Sequence, residues 1–400
     1  MNIKHSLCQN TNSVTLYNSQ IGAVVLLCGL AYKLSALPSI VGEYLSSSTF
    51  WFYLVFCVVD TVEFMLVYAF FCDGSDERLK DKAAYKIGLV LLTVFLCLKG
   101  VAFFSFAVLF FTVELYVGIS PIIVVSILIA PILYLGLKGA KTIGRTAEIL
   151  APIVLTIIVL NLIFLDSHTD FRRNLPILAV PLKDFTLHSL KYGTWLGNFF
   201  PLLFVKVKNK SFPHITFSVA TTQILTLVVI LVGVAMYGDA MKILGNLLVE
   251  ISGFNQLSTE IGRMEWTALF AVIVMGVLEM SFLFYGLTEC SLRLTKSKIP
   301  ATVLVIISAF MLSILLPSPQ IIADVSHTMT FGIVMFSLSL LLPTYFLVVK
   351  IVYKKKDKTF ISFDLSQNAK PSNEQDSNNQ NANDCKNTVT ANAVAKGDNL

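Results

Sequence analysis

The sequence is poor in charge. Asp, Glu, Lys and Arg make up 14% of its 400 residues, whereas soluble domains carry about 25%. Too few charged side chains remain to cover a soluble surface. Hydrophobic residues make up 55%, and mean hydropathy is +0.74. The chain therefore reads as an all-α integral membrane protein. Histidine is scarce too: His5, His168, His188, His214 and His327 fall in the N-terminal arm, in connections or at segment edges. No nucleophile–His–acid set, metal-ligand cluster or phosphate loop can be assembled from what remains, so neither an enzyme nor a cofactor or metal site is expected. Cysteines are scattered singly, with no disulfide or zinc spacing. The polar N-terminal arm is not followed by an h-region with a small-residue cleavage site, so the first apolar segment reads as a retained anchor.

Long apolar runs are plentiful. Stretches near the roughly 20 residues that span a bilayer fall at about 19–45, 50–72, 84–112, 119–137, 143–165, 188–208, 213–237, 264–294, 299–316 and 327–352. With the N-terminus inside, one set of connections carries Arg78, Lys80 and Lys82; Lys138, Lys141 and Arg145; Lys206, Lys208 and Lys210; and Arg293, Lys296 and Lys298. The opposite connections carry only Arg172, Arg173, Lys183, Lys242 and Arg263. This asymmetry predicts ten spans with both termini cytoplasmic. The net charge of +5 thus sets topology and gives no ground for a nucleic-acid partner. The domain expectation is a cytoplasmic arm over 1–18, a ten-helix membrane domain over 19–358 and a disordered cytoplasmic tail over 359–400. Much of that tail is rich in Asn, Asp, Ser and Thr and cannot bury a core. Within the connection 238–263, Met241, Ile243, Leu244, Leu247, Leu248, Ile251 and Phe254 recur at helical spacing, which predicts a short amphipathic helix.

Two spans are interrupted by their own residues. The first contains Gly29, Lys33 and Pro38, and the sixth reads Tyr192-Gly193-Thr194-Trp195-Leu196-Gly197-Asn198, with Pro201 beyond. Glycine weakens helix by about 1 kcal/mol relative to alanine, proline removes a backbone donor, and unwound backbone survives in lipid only where it is buried in protein or lines a cavity. The interruptions open the first span of each five-span half, and paired interruptions of this kind mark the central site of inverted-repeat transporters. Breaks are therefore expected near Gly29–Leu34 and Tyr192–Asn198, facing one another. The candidate ligand-binding residues are Gly29, Ala31, Tyr32, Lys33, Gly193, Thr194, Gly197 and Asn198. A plain packing role for the glycines stays open.

Charges within spans are functional candidates by default. They are Lys33, Lys99, Asp60, Glu63 and Glu279, with Lys191, Glu148 and Glu289 nearer the ends. Asp60 and Glu63 share one helix face. Structural ion pairs, for example Lys99 with Asp60 or Glu63, are the competing reading. Lys33 has three open fates: pairing with Asp60, Glu63 or Glu279; binding an anionic ligand group; or standing in for a coupling cation. Arg145 and Glu148 fit an interfacial role in which Glu148 pairs with Arg145 or a neighbouring helix.

Gly144-Arg145-Thr146-Ala147-Glu148-Ile149-Leu150-Ala151-Pro152, opening the fifth span, resembles the Arg-Thr-Ala/Ser-Glu-Ile…Pro signature of the spore germination permeases. These are B-type membrane subunits of nutrient germinant receptors within the amino acid–polyamine–organocation superfamily. Leu34-Ser35-Ala36-Leu37-Pro38-Ser39 is similar to the end of that family's first span. Gly262-Arg263-Met264-Glu265-Trp266 resembles its Glu-Arg-hydrophobic-Asp/Glu motif, with Gly262 in place of the first acid. The resemblance covers about residues 15–355. It implies a LeuT-like 5+5 inverted repeat with helices 1 and 6 broken and a small nutrient, usually an amino acid, at the break. It also implies an A-type membrane subunit and a C-type lipoprotein as partners, and residence in the spore inner membrane. A secondary amino acid permease, coupled to protons or sodium, needs the same site and is the alternative function.

Overall fold

The computed structural model describes residues 15–35, 38, 41, 45, 48–71, 79, 82–115, 120–164, 169–175, 181–191, 193–207, 212–243, 246–253, 265–315 and 328–368. The chain forms two units, Met1–Tyr353 and Lys354–Leu400. A two-residue strand β1 (Thr15–Leu16) leads into α1 (Asn18–Leu34), followed by α2 (Thr49–Phe71) and α3 (Ala83–Leu109), which continues as a π-helical turn over Phe110–Leu115. Next come α4 (Pro121–Lys138), α5 (Ala140–Ile163) and the short α6 (Leu182–Lys191). Two 3₁₀ turns follow, Gly193–Trp195 and Phe200–Phe204, and then strand β2 (Lys206–Val207). The rest is α7 (Phe212–Tyr237), α8 (Leu247–Gly253), α9 (Glu265–Thr295), α10 (Ile299–Leu315) and α11 (Met329–Asn368). In the second unit, the described backbone is helical through Asn368, so the tail boundary expected at 359 falls inside a helix. Residues 369–400 lie outside the described residues.

Seven of these helices are long and apolar enough to cross a membrane: α2, α3, α4, α5, α7, α9 and α11. The first and ninth expected spans are present as shorter apolar helices of 17 residues each. The sixth is not a continuous helix at all. The protein is thus a helical multi-pass membrane protein with seven long apolar helices among its described residues, where sequence alone predicts ten spans. The amphipathic stretch after α7 forms a 3₁₀ turn over Gly238–Ile243 and then α8. Met241, Leu247, Leu248 and Ile251 are buried as the spacing predicts, while Leu244 and Phe254 lie outside the described residues.

Helix α9 is the central post. It packs against α1, α3, α4 and α5, while α1 also lies along α5 and α7. Small residues allow close approach. A Cβ on Gly136 of α4 would overlap the Phe284 ring of α9, and one on Gly144 of α5 would come within 3.1 Å of Leu16. Helix ends buried away from water need partners for their last carbonyls. At the end of α2, Lys350 of α11 supplies them: its ammonium donates to the carbonyls of Ala69 at 2.6 Å and Phe70 at 2.7 Å. β1 and β2 pair in parallel, Thr15 with Lys206 and Leu16 with Val207. This places the start of α1 and the end of the sixth segment side by side.

Gly193 sits against the backbone of α11, where a Cβ would overlap the Gly332 carbonyl and the Phe336 amide. Backbone cannot move aside as a side-chain tip can, so Gly193→Ala should cost about 2 kcal/mol or more through overpacking. Gly276 of α9 meets nothing closer than 3.8 Å at the same test position. Gly276→Ala should be neutral or stabilising by up to about 1 kcal/mol through helix propensity. Thermal unfolding of the two purified variants should therefore shift in opposite directions from wild type, or at least only Gly193→Ala should shift downward; equal midpoints for both would refute the packing assignment.

Candidate functional site

The sixth segment unwinds where its glycines and proline predict. After the Gly193–Trp195 turn, Leu196 to Phe199 make neither helix nor strand, and Gly197 has φ +88°. That is left-handed backbone, which side chains with a Cβ seldom adopt. A Cβ there would also overlap the Phe95 ring. Tyr192 and the Thr194 side chain lie outside the described residues.

The first helix stops at the C-terminal edge of the interval where its break is expected, Gly29–Leu34. α1 keeps its helix through Gly29, Ala31, Tyr32 and Lys33 and ends at Leu34, with Ser35 in a turn. Pro38 beyond it is buried and helical. Gly29 is a packing position: a Cβ would come within 2.7 Å of Thr222 in α7 and 3.5 Å of the Phe199 ring. The physical reason is that a glycine costs a helix little when its absent side chain lets two helices touch. The stop falls at the end of the expected interval, and α1 meets the sixth segment there. The Tyr32 ring stacks on Trp195 with centroids 3.3 Å apart, while Gly29 sits beside Phe199.

Buried charge gathers at this junction. Lys33, Asp60, Glu63, Lys99 and Glu279 are all buried. Of the three fates open to Lys33, the geometry selects an ion pair: its ammonium lies 2.6 Å from Asp60 Oδ2. Gln223 of α7 donates to the same Asp60 oxygen, and Tyr53 donates to the Lys33 carbonyl at 3.3 Å. Lys99 has a backbone partner that the ion-pair reading does not name. It donates to the Leu196 carbonyl at 2.5 Å. Glu63 accepts from the Gly197 amide at 2.9 Å. One peptide group, Leu196–Gly197, is therefore held at both ends, its oxygen by a cation from α3 and its N–H by a carboxylate from α2. Charge-assisted bonds are about twice as strong as neutral ones, and unwound backbone in an apolar interior needs such partners.

Other polar atoms here are buried without a hydrogen-bond partner. They are both carboxyl oxygens of Glu279, both side-chain polar atoms of Asn198, the indole N–H of Trp195, the Tyr32 hydroxyl, Glu63 Oε1, Asp60 Oδ1 and Gln223 Oε1. Orphaned polar atoms are rare inside proteins and call for an explanation. Glu279 lies near the backbone of Tyr32 and within electrostatic reach of Lys99 and Lys33. Two ammonium groups thus face three carboxyl groups.

Gln223 and Trp195 belong to the site although neither is among the candidates read from the sequence. The signal for Gln223 was an amide in the middle of an apolar span. Arg145 and Glu148 stand apart from the junction. Glu148 accepts from Ser19 of α1 at 2.7 Å, so it serves a neighbouring helix rather than Arg145. Of the motif at 262–266, only Glu265 and Trp266 lie within the described residues, at the start of α9.

A family model described as spore germination protein matches residues 52–321, more than half of the chain. The protein belongs to the spore germination permease family. No curated protein matches it. Family membership accords with the apolar helices of a multi-pass membrane protein and agrees with the resemblance read from the Arg145–Pro152 run. The matched region takes in most of α2, all of α3 and α9, and the whole interrupted segment, so the peptide held by Glu63 and Lys99 falls inside it.

Removing one partner from a buried ion pair strands the other charge, at about 3–5 kcal/mol, whereas replacing both by apolar groups is often neutral. Asp60→Asn should therefore destabilise the protein severely. Lys33→Met combined with Asp60→Leu should recover most of the loss, as read by thermal or denaturant unfolding of the purified proteins. A double variant no better than Asp60→Asn would show that the pair does not act as a unit.

Proposed function

We propose that this protein is the ligand-sensing membrane subunit of a spore nutrient germinant receptor, and that a small amino-acid-like germinant binds where α1 meets the interrupted sixth segment. The observation that carries this reading is the set of orphaned polar atoms around Glu279, Asn198, Trp195 and Tyr32, buried beside unwound backbone where three carboxyl groups meet two ammonium groups. A zwitterionic ligand matches these atoms. Its ammonium group would donate to the Glu279 carboxyl oxygens, which have no hydrogen-bond partner. Its carboxylate suits the buried donors that have no partner, the indole N–H of Trp195 and the side-chain amide of Asn198. Gly29, Ala31, Tyr32, Lys33, Gly193, Thr194, Gly197 and Asn198 are the ligand-binding residues of this proposal, with Lys33 acting through its pair with Asp60.

The same proposal includes the finer architecture. Ten spans in a LeuT-like 5+5 arrangement are supported by the seven long and two shorter apolar helices together with the interrupted sixth segment. The β1–β2 pairing, which joins the start of α1 to the end of that segment, suits two spans that run in opposite directions. A-type and C-type receptor subunits are the partners, the spore inner membrane is the location, and both termini are cytoplasmic.

The decisive experiment compares wild type with Glu279→Gln, matched for abundance, in a spore germination assay across germinant concentrations. Loss of the ammonium partner should raise the half-maximal concentration at least about tenfold, which corresponds to about 1.4 kcal/mol. An unchanged dose–response would refute a ligand contact at Glu279. Accumulation of the amino acid by the purified protein in vesicles, without other subunits, would favour the permease.

A further inference from the structure

An apolar cavity of about 220 Å³ lies between α3, α4, α9 and α10, away from the charged junction. Its walls include Cys97, Gly100, Ile132, Leu283, Leu304 and Ser308. The one hydroxyl among these is already committed, since Ser308 donates to the Val305 carbonyl at 3.0 Å. Water needs two to four polar partners to settle in a cavity, and an apolar cavity of about 150 Å³ stays dry yet takes up benzene. This space is larger and equally unsuited to water.

Gly100 opens the cavity. A Cβ there would meet nothing within 4 Å, so no neighbouring atom fills the place of its missing side chain. Helix α3 nonetheless keeps glycine at that turn, at about 1 kcal/mol relative to alanine. The cavity lies near the middle of α3, α9 and α10, and so near the middle of the hydrocarbon layer. It also reaches the outer surface of the bundle: Leu304 is 46% exposed, and Val303 and Ile307 beside it are equally open and apolar. The medium against that surface is lipid hydrocarbon. A peptide would bring backbone polar groups that these walls cannot satisfy. The terminal part of an acyl chain brings none, and it ends at this depth.

We propose that this cavity is a binding site for the end of a membrane-lipid acyl chain, seated on the open backbone of Gly100. The chain would touch the helical turn whose preceding residue, Lys99, holds the Leu196 carbonyl.

The test uses the full-length protein in nanodiscs made with a phosphatidylcholine that carries a diazirine at the end of one acyl chain. After illumination, adducts are mapped by mass spectrometry. Adducts should concentrate on peptides holding Cys97–Phe104 and Leu304–Ser308. Gly100→Leu should reduce them several-fold there, without changing labelling at the lipid-facing Val90 and Ile127. Should Gly100→Leu lose its cooperative unfolding transition, Ser308→Phe fills the cavity from the opposite wall and carries the same expectation. Even labelling along the lipid-facing surface, unaltered by a folded cavity-filling variant, would overturn the proposal. So would labelling of the cavity by a free short-chain diazirine but not by the lipid.

Discussion

A peptide group taken out of water must find hydrogen bonds elsewhere, and a membrane offers none. The rest of the structure is arranged around one place where that rule is strained. Between Leu196 and Gly197 the helix is absent, and ordinary intrahelical bonds cannot serve. Lys99 from α3 and Glu63 from α2 take over, one at each end of the same peptide. The two side chains cost much to bury, and the peptide between them costs much to leave unpaired. Each need answers the other. Asp60 and Lys33 then form a neighbouring pair with Gln223 in support, which keeps a second cation from competing for the carboxylate that the peptide uses.

Much of this was legible in residue spacing and some was not. The eighth apolar run, expected at 264–294, forms α9 over Glu265–Thr295, because a long apolar stretch with charged flanks has few other ways to fold. The interruption in the sixth segment could be read because glycine at Gly197 and proline at Pro201 act on their own backbone. Lys33 with Asp60 was one of several pairings the sequence allowed. The Lys99 bond to Leu196 could not be foreseen, since a carbonyl carries no mark in the sequence to show that it will lose its helical partner. Gly29 misled for a related reason. A glycine in a span signals either freedom or closeness, and only the neighbour, here Thr222 of α7, decides which. Gln223 carries no formal charge to mark it in the sequence, though a buried amide has as much need of partners.

The same residue type therefore does three different jobs along this chain. Gly197 supplies a backbone conformation, Gly29 and Gly193 supply contact distance, and Gly100 supplies empty space. These roles predict different consequences for the same change of one methyl group. The conformation and contact roles surround the charged junction, while the space is found on the far side of α3, toward lipid. Helix α3 thus stands between two unlike environments, with Lys99 turned to one and Gly100 opening to the other.

The parallel pairing of Thr15–Leu16 with Lys206–Val207 gives the junction a mechanical property. Side chains in a strand alternate between faces, so pairing is satisfied in steps of residues and not in between. Axial sliding of the sixth segment cannot reach the start of α1 as a small graded shift. It is either held by the existing register or released by breaking it. Two residues make a short ladder, which holds in concert with the packed helices around it. The start of α1 is coupled to the sixth segment in the manner of a catch, which stays shut under small loads and lets go at once under larger ones.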